Sequence, residues 1–346
     1  MDSKKNLQFK RKTFNINLVA KSIVDAQKEN GEIMWCKGEK TDPWDLVEAA
    51  MGLSVAGFFE EARKAFSWMA TNQLEDGSWY ASYIDGVPQD KTHDTNMTTY
   101  IASGVFHHYL VTKDTGFLKL MWPVVEKAIE FALNLQTEEG EIHWAVSPEG
   151  VTDKMALLTG SSSVFFSLKC AVATANILGH DKRDWKEALL KLKNSLNNRL
   201  FAYNISKSRF SMDWFYPVLS GALTGVDAQN RINKNWKKFI VDGMGARCVS
   251  DEPWITIAET AELVLALKAM GRKGTAEIIF NWILERTYED GSYWCGFTFP
   301  NMLIWPESKL SWTNGVMLLA ADSLYNITDA SNFFNHDFWD IEELTK

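Results

Sequence analysis

An all-α fold of paired helices is predicted by three observations. Apolar residues recur at helical spacing in segments of two alternating characters, the connections between them alternate short and long, and a Gln…Gly…Trp phrase returns along the chain. Amphipathic segments cover roughly 15–30, 58–73, 116–136, 183–200, 226–241 and 272–287. In the second of these, Ala62, Ala65, Phe66, Met69 and Ala70 fall on one helical face, and in the third Val124, Val125, Ala128, Ile129 and Ala132 do the same. More apolar segments rich in small residues follow at roughly 44–57, 95–111, 160–179, 213–225, 255–270 and 309–325. Strand-type alternation is confined to short pieces of the long loops.

An amphipathic helix buries one stripe, whereas a nearly all-apolar helix needs cover on every side. The two kinds therefore form two layers, apolar helices inside and amphipathic helices outside. Six such hairpins closed into a ring make an (α/α)6 toroid, read as one domain over residues 1–346 with 1–14 as a flexible tail. Short connections at Gly57, Gly179-His180-Asp181 and Gly271 lie on one side. The long ones, 31–43, 74–94, 137–159, 201–212, 242–254 and 288–308, emerge together on the other, where a pocket belongs.

The repeated phrase marks helix ends. Gln27 precedes Gly31 and Trp35, Gln73 precedes Gly77 and Trp79, Gln136 precedes Gly140 and Trp144, and Thr287 precedes Gly291 and Trp294. Acidic residues and a glycine stop each outer helix, because glycine takes the left-handed conformation such an end requires.

Composition narrows the function. The chain has 346 residues, 46% of them hydrophobic, which supplies a sizeable core. A net charge of −8 argues against nucleic acid as the main partner. The sequence has no secretory signal pattern and no uninterrupted apolar run long enough for a membrane span. Cys36, Cys170, Cys248 and Cys295 form no CxxC pair and read as free thiols of a cytoplasmic protein. No metal site or cofactor is expected, His107-His108 reads as packing within an inner helix, and oligomeric state is left open.

The fifteen tryptophans are the unusual feature, many of them beside Gly, Asp and Pro in loops. The pocket face collects Asp42, Trp44, Asp45, Trp79, His93, Asp94, Glu141, Trp144, Glu149, Asp213, Trp214, Tyr216, Arg247, Asp251, Glu252, Trp254, Trp294, Trp305, Glu307 and Trp312. Tryptophans mixed with carboxylates suit a sugar, which offers an apolar face for stacking and hydroxyls for hydrogen bonds. Two carboxyls are the usual means of cleaving a glycosidic bond. The structural alternative is that Asp42, Asp94, Asp213 and Asp251 cap inner helices and that a tryptophan after glycine wedges between helices.

The order of these pieces resembles the glucoamylase-type glycoside hydrolases, inverting enzymes on an (α/α)6 barrel. Three stretches carry the likeness over roughly 90–325: Asp94 with Met121-Trp122-Pro123 and Gly140-Glu141-Ile142-His143-Trp144; Glu252-Pro253-Trp254 leading into Ile257-Ala258-Glu259-Thr260-Ala261-Glu262, with Arg247 upstream; and Trp305-Pro306-Glu307 before Leu310-Ser311-Trp312. The resemblance implies Glu307 as general base and Asp94 and Arg247 as holders of sugar hydroxyls. Glu252, Asp213, Tyr216 and Trp305 join them as binding residues, and Trp79, Trp144 and Trp254 form walls. The family's acid directly follows the tryptophan that opens its acid loop, but here Ala145 follows Trp144, so Glu141 or Glu149 is expected to substitute. The expected substrate is an oligosaccharide or glycoconjugate, attacked at its non-reducing end. The phrase around Gln73 and Trp79 is also similar to the repeats of squalene-cyclase and prenyltransferase toroids, although no Asp-x-Asp-Asp cluster supplies cyclase chemistry. A glycan-binding protein without its acid is the third reading.

Overall fold

A computed structural model describes residues 6–9 and 12–345. The amphipathic segments become α1 (Ile16–Val24), α3 (Phe59–Asn72), α5 (Thr115–Leu133), α7 (Arg183–Asn198), α9 (Gly225–Phe239) and α11 (Lys273–Ile283). The apolar segments become α2 (Pro43–Ala56), α4 (Thr95–Thr112), α6 (Leu158–Leu178), α8 (Ser211–Leu219), α10 (Ile257–Ala269) and α12 (Ser311–Tyr325). A short α13 (Ile341–Leu344) follows.

The even-numbered helices are buried nearly all round, and they touch in cyclic order: α2 packs on α4, α4 on α6, α6 on α8, α8 on α10, α10 on α12, and α12 on α2. Each outer helix lies on the inner helix joined to it by a short connection, with α1 on α12 and α2. The contact between first and last inner helices is made by backbone. A side chain on Gly52 would meet the Cα of Gly315, and one on Gly315 would meet the carbonyl of Glu48. Helix α6 is long and apolar enough to cross a membrane by length and composition, but most of it is buried within the protein.

Short strands occupy the long loops. They are β3 (Ser82–Ile84), β4 (Val87–Asp90), β5 (His93–Asp94), β6 (Ala145–Val146), β7 (Thr152–Asp153), β8 (Ile240–Val241), β9 (Gly245–Arg247), β10 (Trp254–Thr256) and β11 (Gly296–Thr298), after β1 (Asn6–Phe9) and β2 (Lys12–Asn15). The largest sheet runs β8-β9-β10-β11, all antiparallel, with Ile255 opposite Arg247 on one side and Phe297 on the other. Of the tail expected over 1–14, residues 1–5, 10 and 11 lie outside the described residues. The remainder forms the β1–β2 ladder and ends on Phe14, whose ring is buried against Phe280 and Tyr293.

The repeated phrase is a clamp. The side-chain amide of Gln73 donates to the carbonyl of Gly77 in its own loop and to that of Val124 in α5, both at 2.9 Å. Gln27 does the same to Gly31 and to Glu61 of α3, and Gln136 to Gly140 and to Ala188 of α7. Gly31, Gly77 and Gly140 have positive φ and press on the same neighbouring outer helices, at Lys64, Lys127 and Lys191 respectively. Thr287 is too short for the clamp, yet Gly291 still rests on Leu18 of α1.

Two residues past each glycine a side chain plugs the core: Ile33, Trp79, Ile142 and Tyr293, each at most 2% exposed. Trp79 belongs to this set. Its indole donates to the Met69 carbonyl at 2.9 Å, so it is a wedge between helices and not a pocket wall.

Replacing Gly77 by Ala should cost more than about 2 kcal/mol in denaturant unfolding, since its φ is unfavourable and its Cβ would collide with α5 backbone. Gly57→Ala, also at positive φ but facing open space, should lose only about 1 kcal/mol. Equal losses would show that the glycine contacts are incidental.

Candidate active site

The N-terminal turn of α2 begins with Asp42-Pro43-Trp44-Asp45. Asp42 caps the helix through the Asp45 amide at 2.9 Å and also accepts the Trp35 indole N–H at 2.7 Å. Because residues three apart share a helix face, Asp45 and Glu48 stack on α2, and Glu259 and Glu262 stack on α10. The two pairs approach one another inside the ring. Glu48 feels Glu259, Glu262 feels Glu48, and the Cys295 thiol feels both Glu259 and Asp45.

Tyr100 of α4 donates to Glu48 at 3.3 Å. The Trp44 ring packs on Tyr100 at 5.3 Å and on Tyr216 of α8 at 5.7 Å, which brings the two tyrosines to the same place. None of the five acids Asp42, Asp45, Glu48, Glu259 and Glu262 makes an ion pair among the described residues.

Burial of so many like charges sets their protonation. Desolvation, then the charges of Asp42 and Glu48, raises the Asp45 carboxyl well above the usual carboxylate range. Glu48 is pushed up to about 8, mainly by burial. Glu262 rises well above its usual range for the same reason, helped by Glu48 and Glu259. Glu259 differs in its partners. The Cys248 thiol donates to Oε1 at 3.1 Å, and Oε2 is buried with no hydrogen-bond partner.

Beside this cluster is a pocket of about 170 Å³ lined by Trp44, Asp94, Met97, Trp144 and Leu157 among others. The short β5–β6–β7 ladder builds its wall and holds Asp94 opposite Ala145. Asp94 caps α4 through the Met97 amide, and burial still raises it to about 6 against the pull of that bond.

Other residues singled out in the sequence lie elsewhere. Glu141 is buried in an ion pair with Arg199 at 2.5 Å. Burial alone would raise it, but Arg199, its own amide and Thr137 hold it low, the opposite of what a proton donor needs. Glu149 is exposed, bonded to Ser147, and held low by that bond. Glu307 is exposed in the loop before α12 and does not line the pocket. Glu252 is exposed and paired with Arg209, as is Asp251. Asp213 sits within the first turn of α8, accepting from Thr159 at 2.7 Å. Trp254 and Trp305 meet edge to face at 5.1 Å, with the Trp254 indole donating to the Trp305 carbonyl. Arg247 spans toward Ser250 and covers Phe299. Asp94, Trp144 and Tyr216 are thus the expected binding residues that meet the acid cluster or its pocket. Glu48, Glu259 and Glu262 are the acids that sequence reasoning missed as site residues. Their signal was an acid in an otherwise apolar inner helix, repeated three residues from a second acid.

Comparison with known proteins gives the family and the fold. No family model matches the chain. It is 45% identical over 315 residues to the MMP endo-(1,4)-3-O-methyl-alpha-D-mannosidase of Mycolicibacterium hassiacum, a match spanning 91% of this chain and 87% of that protein. Among solved structures it resembles a wild-type glycosidase at 16% identity with a TM-score of 0.69, covering 90% of this chain and 96% of that one. It also resembles the GH63 mannosylglycerate hydrolase from Thermus thermophilus in complex with glucose, at 11% identity with a TM-score of 0.66, covering 87% and 99%. These two share the fold. The curated relative goes further: this chain belongs to the family of the MMP endo-(1,4)-3-O-methyl-alpha-D-mannosidase and is a carbohydrate-active glycoside hydrolase.

Proposed function

We propose that the chain is an inverting, endo-acting α-mannosidase on an (α/α)6 toroid of six hairpins, with a 1,4-linked 3-O-methyl-mannose chain as substrate. The relative's name supports the linkage and the endo mode, which replaces the non-reducing-end action expected from sequence. The cyclic contacts of the inner helices support the toroid.

The observation that carries the mechanism is the approach of Asp45 on α2 and Glu259 on α10, the two helices that flank α12, to the same thiol of Cys295. Asp45, kept protonated by burial and its acidic neighbours, is the general acid. It gives its proton to the glycosidic oxygen as the bond to C1 breaks. Glu259, with one oxygen held by Cys248 and the other unengaged, takes a proton from the water that attacks C1 on the opposite face. The products are a new reducing end of inverted configuration and a chain ending in a free hydroxyl. Trp44 and Trp144 cover the apolar faces of the sugar, on which methyl ethers add further apolar surface, and Asp94 accepts from hydroxyls. The acid that Ala145 lacks thus comes from α2. This carboxyl cluster is also what favours a glycosidase over an isoprenoid cyclase or a silent glycan binder.

Asp45→Asn and Glu259→Gln should each lower kcat on the methylated mannan by about 10²–10⁴-fold with little change in fold. Proton NMR of the first product should show the β-anomer, and product sizing should show internal cleavage. Full activity in either variant, or an α-anomer released first, would refute the assignment.

Cys248→Ala should reduce kcat with little change in KM, and Cys248→Ser should restore kcat by supplying an O–H donor. An unchanged kcat in the alanine variant would remove Cys248 from the positioning of Glu259.

The raised carboxyls also link stability to pH. Groups whose folded pKa exceeds the unfolded value hold more protons in the folded state, so their contribution is full at low pH and is lost as pH rises through the folded value. For Glu48 that window runs from about 4.5 to about 8. Glu48→Gln should therefore lose stability more slowly than the parent chain across this window in chemical unfolding. A parallel decline would show that Glu48 does not titrate in this window.

A further inference from the structure

Away from the long loops, where α8 and α10 end and short connections turn outward, lies a second recess of about 690 Å³. On its wall is Lys169 of α6, 1% exposed, a position at which a charge ordinarily meets a carboxylate. Here it makes no ion pair among the described residues. Its ammonium donates to the Ser220 carbonyl at 2.7 Å and lies over the rings of Phe166 and Trp339 at 4.6 and 4.7 Å. An ammonium carries three donors, so this one acceptor leaves capacity facing the recess.

Three further features of the lining point the same way. Lys193 adds a second cation, half-buried and without an ion pair among the described residues. His336 contributes a ring held by the Val218 carbonyl at 2.7 Å. Helix α9 begins here, and its Thr224 makes no side-chain cap, so the positive end of a 15-residue helix opens on the recess. Gly221 brings no side chain between Lys169 and the space, and a Cβ there would lie 3.3 Å from the Lys169 nitrogen. Asp337, Asp340 and Glu342 are exposed on the same lining and would repel an extended polyanion.

We propose that this recess binds a compact oxyanion, a phosphate or carboxylate group, between Lys169, Lys193 and the first amides of α9. It is separate from the glycosidase chemistry and shares no residue with the acid cluster or its pocket.

Isothermal titration with sodium phosphate, and separately with sodium acetate, at constant ionic strength in chloride tests this. Saturable binding of either probe to the full chain is expected, with at least roughly ten-fold weaker affinity in Lys169→Met and in Lys193→Gln. Phosphate alone binding identifies a phosphoryl ligand, and acetate alone a carboxylate. Circular dichroism checks the fold of Lys169→Met; should that variant misfold, Lys193→Gln decides. Binding should persist in Asp45→Asn, which separates this recess from the catalytic loops. If neither probe binds, or affinity is unchanged in Lys193→Gln, the proposal is overturned and Lys169 serves only to cap the end of α8.

Discussion

The rest of the molecule depends on one hydrogen-bonding device, the two-way clamp of a glutamine amide. A loop carbonyl turned inward without a partner costs about 1–3 kcal/mol. Gln27, Gln73 and Gln136 each supply that partner to the glycine carbonyl of their own loop and give a second bond to a carbonyl within the next outer helix. Because one of the two lies on a different helical pair, the bond fixes the position of a hairpin against its neighbour as well as the end of a helix. The long loops therefore start from rigid points, and Asp94, Trp144 and the turn at Asp42 are presented from fixed positions.

What this frame holds is electrostatically costly. Five carboxyls gather inside the ring with no ion-paired basic partner among the described residues, and desolvation, helped by their mutual repulsion, raises Asp45, Glu48 and Glu262 above the usual carboxylate range. A flexible protein would spread such groups into water. Here α2 and α10 are packed on all sides, and Glu48 and Glu262 are each 2% exposed. In the proposed mechanism this cost has a use, because cleaving a glycosidic bond needs a carboxyl that still carries its proton near neutrality.

The helices were legible because burial writes a period into sequence. All twelve main segments stand where alternation of apolar and amphipathic character placed them, and the Gln73–Gly77 phrase read as a helix end does tie that end to its loop. Trp79 and Trp144 show where legibility stopped. Both follow a clamp glycine, but one stands two residues beyond it and faces the core, whereas the other stands four beyond and faces the pocket. That register depends on how each loop turns. Glu141 failed for a related reason: its partner Arg199 is 58 residues away, and only the folded chain brings them together. Asp45 and Glu259, 214 positions apart in the numbering, are brought near one another by closure of the ring.

The glycine contact between α2 and α12 couples the packing of the inner helices to the state of the acids. Helix α12 lies between α10 and α2, and Gly315 rests directly on the backbone at Glu48. That seam keeps water from Glu48, which is 2% exposed and held up to about 8 mainly by its burial. A side chain added at Gly52 or Gly315 would therefore disturb the acids as well as the packing, because the same backbone contact that closes the helices also dries the carboxyl.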